Sequence, residues 1–144
     1  MVNAKQLVLA GFEQLNLGNI ANFYALFADD VRYVTPAGTY LGREAARNAD
    51  MAMFACLSRH WRVVERIVVC EPKVAVWLRF GAITKATGAL IELELCDIFT
   101  IEDDHIRKLE IYGDFSPMFA ALKQASDEQP ESAPREASLG RALR

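Results

Sequence analysis

Three carboxylates in the last third of the chain, Asp97, Glu110 and Asp114, occupy positions where acid–base chemistry could be done. Asp97 interrupts a run in which every second position from Ile91 to Phe99 is otherwise apolar. Strand side chains alternate between faces, so Ile91, Leu93, Leu95, Asp97 and Phe99 share one face while Glu92, Glu94, Cys96 and Ile98 share the other. An ionised carboxylate on a dry face must be paired, hydrogen-bonded, or held protonated by a raised pKa, and the last prepares an acid for catalysis. Glu110 is tied to Asp97 by strand register. With Ile101 opposite Ile106, Asp97 lies opposite Glu110 with Cβ atoms about 4.5 to 5.5 Å apart, and two carboxylates that close force one pKa upward. A slip of one residue instead buries Leu109 and Ile111 and leaves Lys108, Glu110 and Tyr112 outside; the hydrophobic pattern accommodates both. Asp114 precedes Ser116-Pro117, a helix start, so it is both a candidate acid and a candidate cap.

Other chemistries find little support. His60 and His105 are far apart and lack metal-ligand spacing, so neither a metal nor a cofactor is expected. His60, after a helix, reads as a surface helix-end residue. Cys56, Cys70 and Cys96 sit among apolar neighbours and read as small buried hydrophobes. A net charge of -3 argues against nucleic acid as a partner. Met1-Val2-Asn3-Ala4-Lys5 carries no apolar signal region, and no apolar run approaches the roughly 20 residues needed to span a bilayer. The expectation is a cytoplasmic protein without a membrane partner.

The elements that must position these residues follow from periodicity. Asn3 and Gln6 form a capping signal, and Leu7, Val8, Gly11, Phe12 and Leu15 recur at helical spacing until Gly18. A second helix is predicted over Ile20 to Phe27, a short strand over Val31 to Thr35, and a third helix over Arg43 to Leu57. The third carries Ala45, Ala49, Ala52 and Cys56 as a small-residue stripe, with Met51, Met53 and Phe54 as core or cavity lining. After His60 the period changes to two, giving strands over Trp61 to Cys70, Lys73 to Ala86, Ala89 to Ile101 and Ile106 to Tyr112. Helices followed by strands on short turns predict an α+β fold, an antiparallel meander with helices on one face. A turn at Thr87-Gly88 sets Leu78 opposite Asp97, with Arg79 pointing to the reverse face. A closing helix is predicted over Met118 to Lys123, and the composition of 126–144 predicts a flexible tail beyond a single domain of 1–125.

The motifs Phe27-Ala28-Asp29-Asp30-Val31, Pro36, Gly42-Arg43-Glu44, Asp97-Ile98-Phe99 and Ile111-Tyr112-Gly113-Asp114 resemble, in order and spacing, the nuclear transport factor 2-like superfamily. The resemblance is to its SnoaL-like and ketosteroid-isomerase-like branches, and spans about residues 4 to 122. It implies a cone-shaped, strongly curved antiparallel sheet wrapped around three N-terminal helices, and a homodimer formed through the outer sheet face. In the isomerases the general-base aspartate falls on Thr35 here and the oxyanion-hole tyrosine on Gly11; only the second oxyanion-hole acid has a counterpart, Asp97. The arginine between two aspartates of the epoxide-hydrolase branch has no counterpart, since Arg79 lies on the wrong face. The comparison turns Phe80, Ala82, Leu95, Asp97, Glu110, Tyr112 and Asp114 toward the cavity.

Two functions are therefore carried forward. In the first, a small apolar or polyketide- or steroid-like molecule enters the cone and Asp97, with Glu110 or Asp114, moves a proton without a cofactor; Phe12, Phe80, Leu95 and Phe99 exclude water, and Tyr33, Thr35 and Tyr112 offer hydroxyls. In the second, the same fold is a non-catalytic binding or dimerisation domain. A cone plugged by Phe12, Phe23 and Met53 would favour the second.

Overall fold

The fold was obtained as a computed structural model that describes residues 3–128. The first helix, α1 (Ala4–Asn16), starts where expected, with the Asn3 side chain accepting from the Gln6 N–H at 2.8 Å. Its Leu7, Val8, Phe12 and Leu15 are buried. A five-residue helix, α2 (Ile20–Tyr24), follows and buries Phe23 and Tyr24. Strand β1 (Phe27–Thr35) begins four residues earlier than the alternation suggested, and pairs with β2 (Gly38–Leu41), which the sequence reading passed over. Helix α3 (Arg43–Phe54) then leads into β3 (Leu57–Cys70), β4 (Lys73–Thr84), β5 (Leu90–Glu102), β6 (His105–Gly113) and α4 (Ser116–Glu128). The closing helix is thus longer than predicted. It runs into the first residues assigned to the tail, whose remainder lies outside the described residues.

The six strands form one open sheet in the order β2-β1-β6-β5-β4-β3, with helices contributing to a core on one face. The class is α+β, as expected. Every pairing is antiparallel except one: β1 lies parallel to β6, so the sheet is mixed rather than a simple meander. The Asp29 and Gly42-Arg43 motifs explain how β1 is held. The Gly42 N–H donates to the Val31 carbonyl at 2.8 Å, and the Arg43 guanidinium donates to the Phe27 carbonyl at 2.7 and 3.1 Å while pairing with Asp29 at 3.0 Å. These bonds pin the start of α3 to the irregular part of β1, where its register on β6 shifts. Gly42 has φ +93°, a left-handed conformation that a side chain would strain.

Two registers needed correction. Leu78 faces Leu95, and Val76 faces Asp97, because the β4–β5 turn is longer than Thr87-Gly88 alone. Thr84 accepts the Gly88 N–H and closes the loop through Ala89 and Thr87. The displacement is two residues, so each side chain stays on its predicted face. In the last hairpin, Ile101 does face Ile106, across a turn whose Asp103 and Asp104 have φ of +52° and +58°. A bulge between Thr100 and Ile101 then shifts the pairing by one, so Phe99 faces Leu109 and Asp97 faces Ile111. Leu109 is buried, while Glu110 and Tyr112 lie on the outer face.

Candidate functional site

Between the helices and the inner sheet face lies a cavity of about 300 Å³. Phe12, Leu15 and Phe23 close it from α1 and α2, Leu78, Phe80 and Leu95 form its sheet wall, and Phe115, just before α4, borders it together with Met118 and Phe119 of that helix. Phe12, Phe23 and Met53 therefore border the space without filling it. Three charged side chains among the described residues face it: Asp50 from α3, Arg62 from β3 and Asp97 from β5.

Asp97 is 5% exposed, and its Oδ1 has no hydrogen-bond partner. Burial pushes its pKa up to about 7, with Asp50 adding to the rise and Arg62 opposing it. A carboxyl group at that value exchanges its proton near neutrality, which suits an acid–base catalyst. Asp50 is arranged differently. One oxygen accepts the Tyr33 hydroxyl at 2.8 Å and the other accepts the Tyr24 hydroxyl. Burial raises Asp50 to about 6, while the two hydroxyl bonds and Arg62 favour its charged form. Both tyrosines are pushed well above the ordinary phenol value, burial first and Asp50 next, so they remain donors.

Arg62 is held from several sides. Its guanidinium lies over Phe80 at 5.0 Å and Phe54 at 5.6 Å, and Nη1 donates to His60 Nδ1 at 3.0 Å. That bond makes Nδ1 the unprotonated nitrogen of His60, and burial followed by Arg62 lowers the imidazole to about 4. His60 is correspondingly neutral. It is not a surface helix-end residue: it is half-buried on β3 and stacked on Phe54, with centroids 4.4 Å apart and planes 10° from parallel. The backbone of Arg62 is fixed as well, since the Asn16 side chain accepts its N–H at 2.9 Å and donates to its carbonyl at 3.0 Å.

Of the residues singled out in the sequence, Asp97, Phe12, Tyr33, Thr35, Phe80 and Leu95 border the cavity. Phe99 is buried beside it, edge-on to Phe12 at 5.7 Å, and belongs to the core. The Thr35 hydroxyl is engaged in its own turn, accepting from the Ala37 N–H at 3.1 Å and donating to the Gly38 carbonyl at 3.2 Å. Glu110 and Tyr112 are a correction: the bulge turns both outward, where they hydrogen-bond each other and Lys108 pairs with Glu110 at 3.4 Å. Asp114 is a second correction. It is exposed and caps α4, accepting from the Ser116 N–H at 2.9 Å and hydroxyl at 2.6 Å, contacts that hold its pKa below the usual value. The cysteines are all free thiols, but Cys70 is exposed and the other two are only half-buried.

Asp50, Arg62 and Tyr24 escaped the sequence reading. A signal for Asp50 existed: Ala46, Asp50 and Phe54 recur every four residues, which puts the carboxylate on the inward stripe of α3. For Arg62 the signal was alternation with His60 and Val64, partners of the inward Ala82 and Leu78.

No curated protein sequence matches the chain. Among solved structures, TerC co-crystallised with polyporic acid is similar at 17% identity and TM-score 0.72, covering 81% of this chain and 95% of that one. A protein of ketosteroid isomerase-like fold from Catenulispora acidiphila, in complex with trimethylamine, gives 18% identity and TM-score 0.75, over 89% of this chain and all of that one. A candidate polyketide cyclase from Pseudomonas putida gives 20% and 0.71, over 82% and 96%. These likenesses concern the fold. The SnoaL-like domain model matches residues 8–109, and the chain belongs to that family within the nuclear transport factor 2-like superfamily.

Proposed function

We propose that the protein takes a small, largely apolar molecule of polyketide- or steroid-like character into the cavity and acts on it by cofactor-independent acid–base chemistry, as an isomerase, cyclase, dehydratase or hydrolase. The observation that carries this reading is Asp97: buried, facing the cavity, with one carboxylate oxygen unpartnered and a pKa near 7. Asp50 takes the proton lost from the ligand's carbon, Asp97 gives a proton to the oxyanion that develops, and Arg62 stabilises the negative charge. Asp50, the more acidic of the two carboxylates and hydrogen-bonded by two phenols, is the site's ionised group near neutrality. The apolar walls supply the dry surroundings in which these interactions are strong. Two structural neighbours, a polyketide cyclase candidate and a protein in complex with polyporic acid, support the ligand class.

A second reading, ligand binding without turnover, is favoured by the same site: Thr35 is engaged in its turn, and neither Glu110 nor Asp114 borders the cavity. Solvent exchange of the acidic C–H groups of 2-tetralone in deuterium oxide separates the two. Catalysis is expected to accelerate exchange over buffer, with Asp97→Asn lowering the rate by about 100-fold or more. No acceleration, or full activity in Asp97→Asn of unchanged melting temperature, rejects the acid–base assignment.

A further inference from the structure

Asp50 has a phenol donor on each oxygen, so its hydrogen bonds are largely made within the wall. The unused capacity in the cavity belongs to the other two charged groups. Arg62 is a donor at every nitrogen, its planar faces are covered by Phe54 and Phe80, its side-chain hydrogen bond goes to a neutral imidazole, and Asp50 and Asp97 favour its charge through space without forming an ion pair to it. Asp97 Oδ1 is buried and has no partner within the protein. A buried polar group without a hydrogen bond is costly, so a ligand that completes these contacts binds more tightly for it.

We propose that the cavity selects planar, ring-containing acids, and that the ligand's ionised oxygen, of a carboxylate or an acidic enol, is held between the Arg62 guanidinium and the Asp97 carboxyl group. This rests on the reading of the cavity as a small-molecule site and names its ligand class. Charge decides among the alternatives. An ammonium group would have to approach the half-buried guanidinium, and Asp50, the carboxylate that would attract it, is already hydrogen-bonded on both oxygens by phenols. A neutral amide accepts hydrogen bonds from Arg62 but forgoes the charge-assisted gain, which roughly doubles such a bond. An anion beside Asp97 also favours the protonated carboxyl, which then donates to the ligand rather than repelling it. The flat walls suit a ring: Phe80 and Phe54 are already committed to a planar cation, and Phe12, Tyr33 and Tyr40 offer further aromatic surface.

Calorimetry with naphthalene-2-carboxylate, naphthalene-2-carboxamide and naphthalen-2-ylmethylammonium at about pH 6.5 tests this, since the three probes share one ring system and differ in charge. The wild-type protein is expected to bind the carboxylate at least about tenfold more tightly than the amide and the ammonium least. Arg62→Gln should abolish the preference, and Arg62→Lys should restore part of it; melting curves of both variants separate loss of recognition from loss of fold. Equal binding of acid and amide, or tighter binding of the ammonium, overturns the inference while leaving the small-molecule site intact. An unaltered preference in folded Arg62→Gln overturns it too, as does a failure of all three probes to bind. If the acid preference holds but 2-tetralone exchange is not accelerated, the acid–base reading falls and the ligand class stands.

Discussion

Two inward-facing carboxylates with unequal partners give this protein a pH dependence whose sign can be worked out. Asp97 ionises near 3.8 in the unfolded chain and at about 7 when folded, so the folded state holds its proton more tightly. The resulting stabilisation is complete below the unfolded value and is lost as pH rises through about 7. Burial is the main cause of the shift, with Arg62 on β3 opposing the rise and Asp50 on α3 adding to it. A span of about three units corresponds to on the order of 4 kcal/mol as an upper figure. Asp97→Asn is therefore expected to be more stable than wild type at pH ~8, with little difference at pH ~4, measured by denaturant unfolding across the range. A gap independent of pH would show that burial is not what shifts Asp97. For Asp50, Tyr33→Phe removes one of two hydroxyl donors, and a cost of about 1 to 3 kcal/mol is expected together with a further rise in the Asp50 pKa, observable by carboxyl NMR titration. A stable variant with an unmoved Asp50 titration would make that bond incidental. Asp97 was legible in the sequence because a lone charge breaks a period-two apolar face. Asp50 was not, because it follows the exposed Arg47 and Asn48 on the helix, and its phenol partners come from distant elements.

Elements carry these residues into place through contacts that local propensity does not encode. The end of α1 is joined to β3 by the paired bonds of the Asn16 amide to the Arg62 backbone, which fix where the guanidinium starts. Asn16→Ala is expected to cost about 1 kcal/mol in stability, the bonds being exposed, and to weaken naphthalene-2-carboxylate binding more than carboxamide binding. Equal weakening of both would mean that Asn16 secures the helix without positioning Arg62. The helix starts and most strand spans were readable from caps, glycines and alternation. The register of β6 was not, because the bulge at Thr100 and Ile101 inserts an extra residue that leaves the hydrophobic pattern intelligible on either face. That single residue decides whether Glu110 or Ile111 faces the cavity. The parallel β1–β6 pair was equally hidden, since it joins the first strand to the last and depends on Arg43 holding the Phe27 carbonyl.

On the scale of the whole molecule, the outer sheet face is unlike a fully solvated surface. Val63, Val68 and Trp77 stand on it at 44%, 47% and 42% exposure, beside Tyr112 at 48%. Their neighbours are of both signs: Arg79 pairs with Glu65 at 3.5 Å, and Arg66 lies over the Trp77 ring at 5.9 Å. The Trp61 ring covers Gly81 so closely that an added Cβ would meet it at 2.3 Å, leaving an aromatic surface flush with the strands. An apolar centre with a mixed-charge surround matches the composition of self-associating interfaces, where aromatic residues and arginine are enriched. We propose that two copies associate through this face, in keeping with the sheet-mediated dimers that the family resemblance implies. Because the cavity opens on the opposite side of the sheet, association leaves Asp97 and Arg62 untouched. Trp77→Arg is therefore expected to convert a dimer to a monomer in light scattering after gel filtration, with the melting temperature falling only as far as lost association dictates. Binding of naphthalene-2-carboxylate should survive in the monomer. A wild-type protein that remains monomeric at about 100 μM, a concentration well above typical dimer dissociation constants, would remove the dimer and leave the cavity's chemistry as it stands.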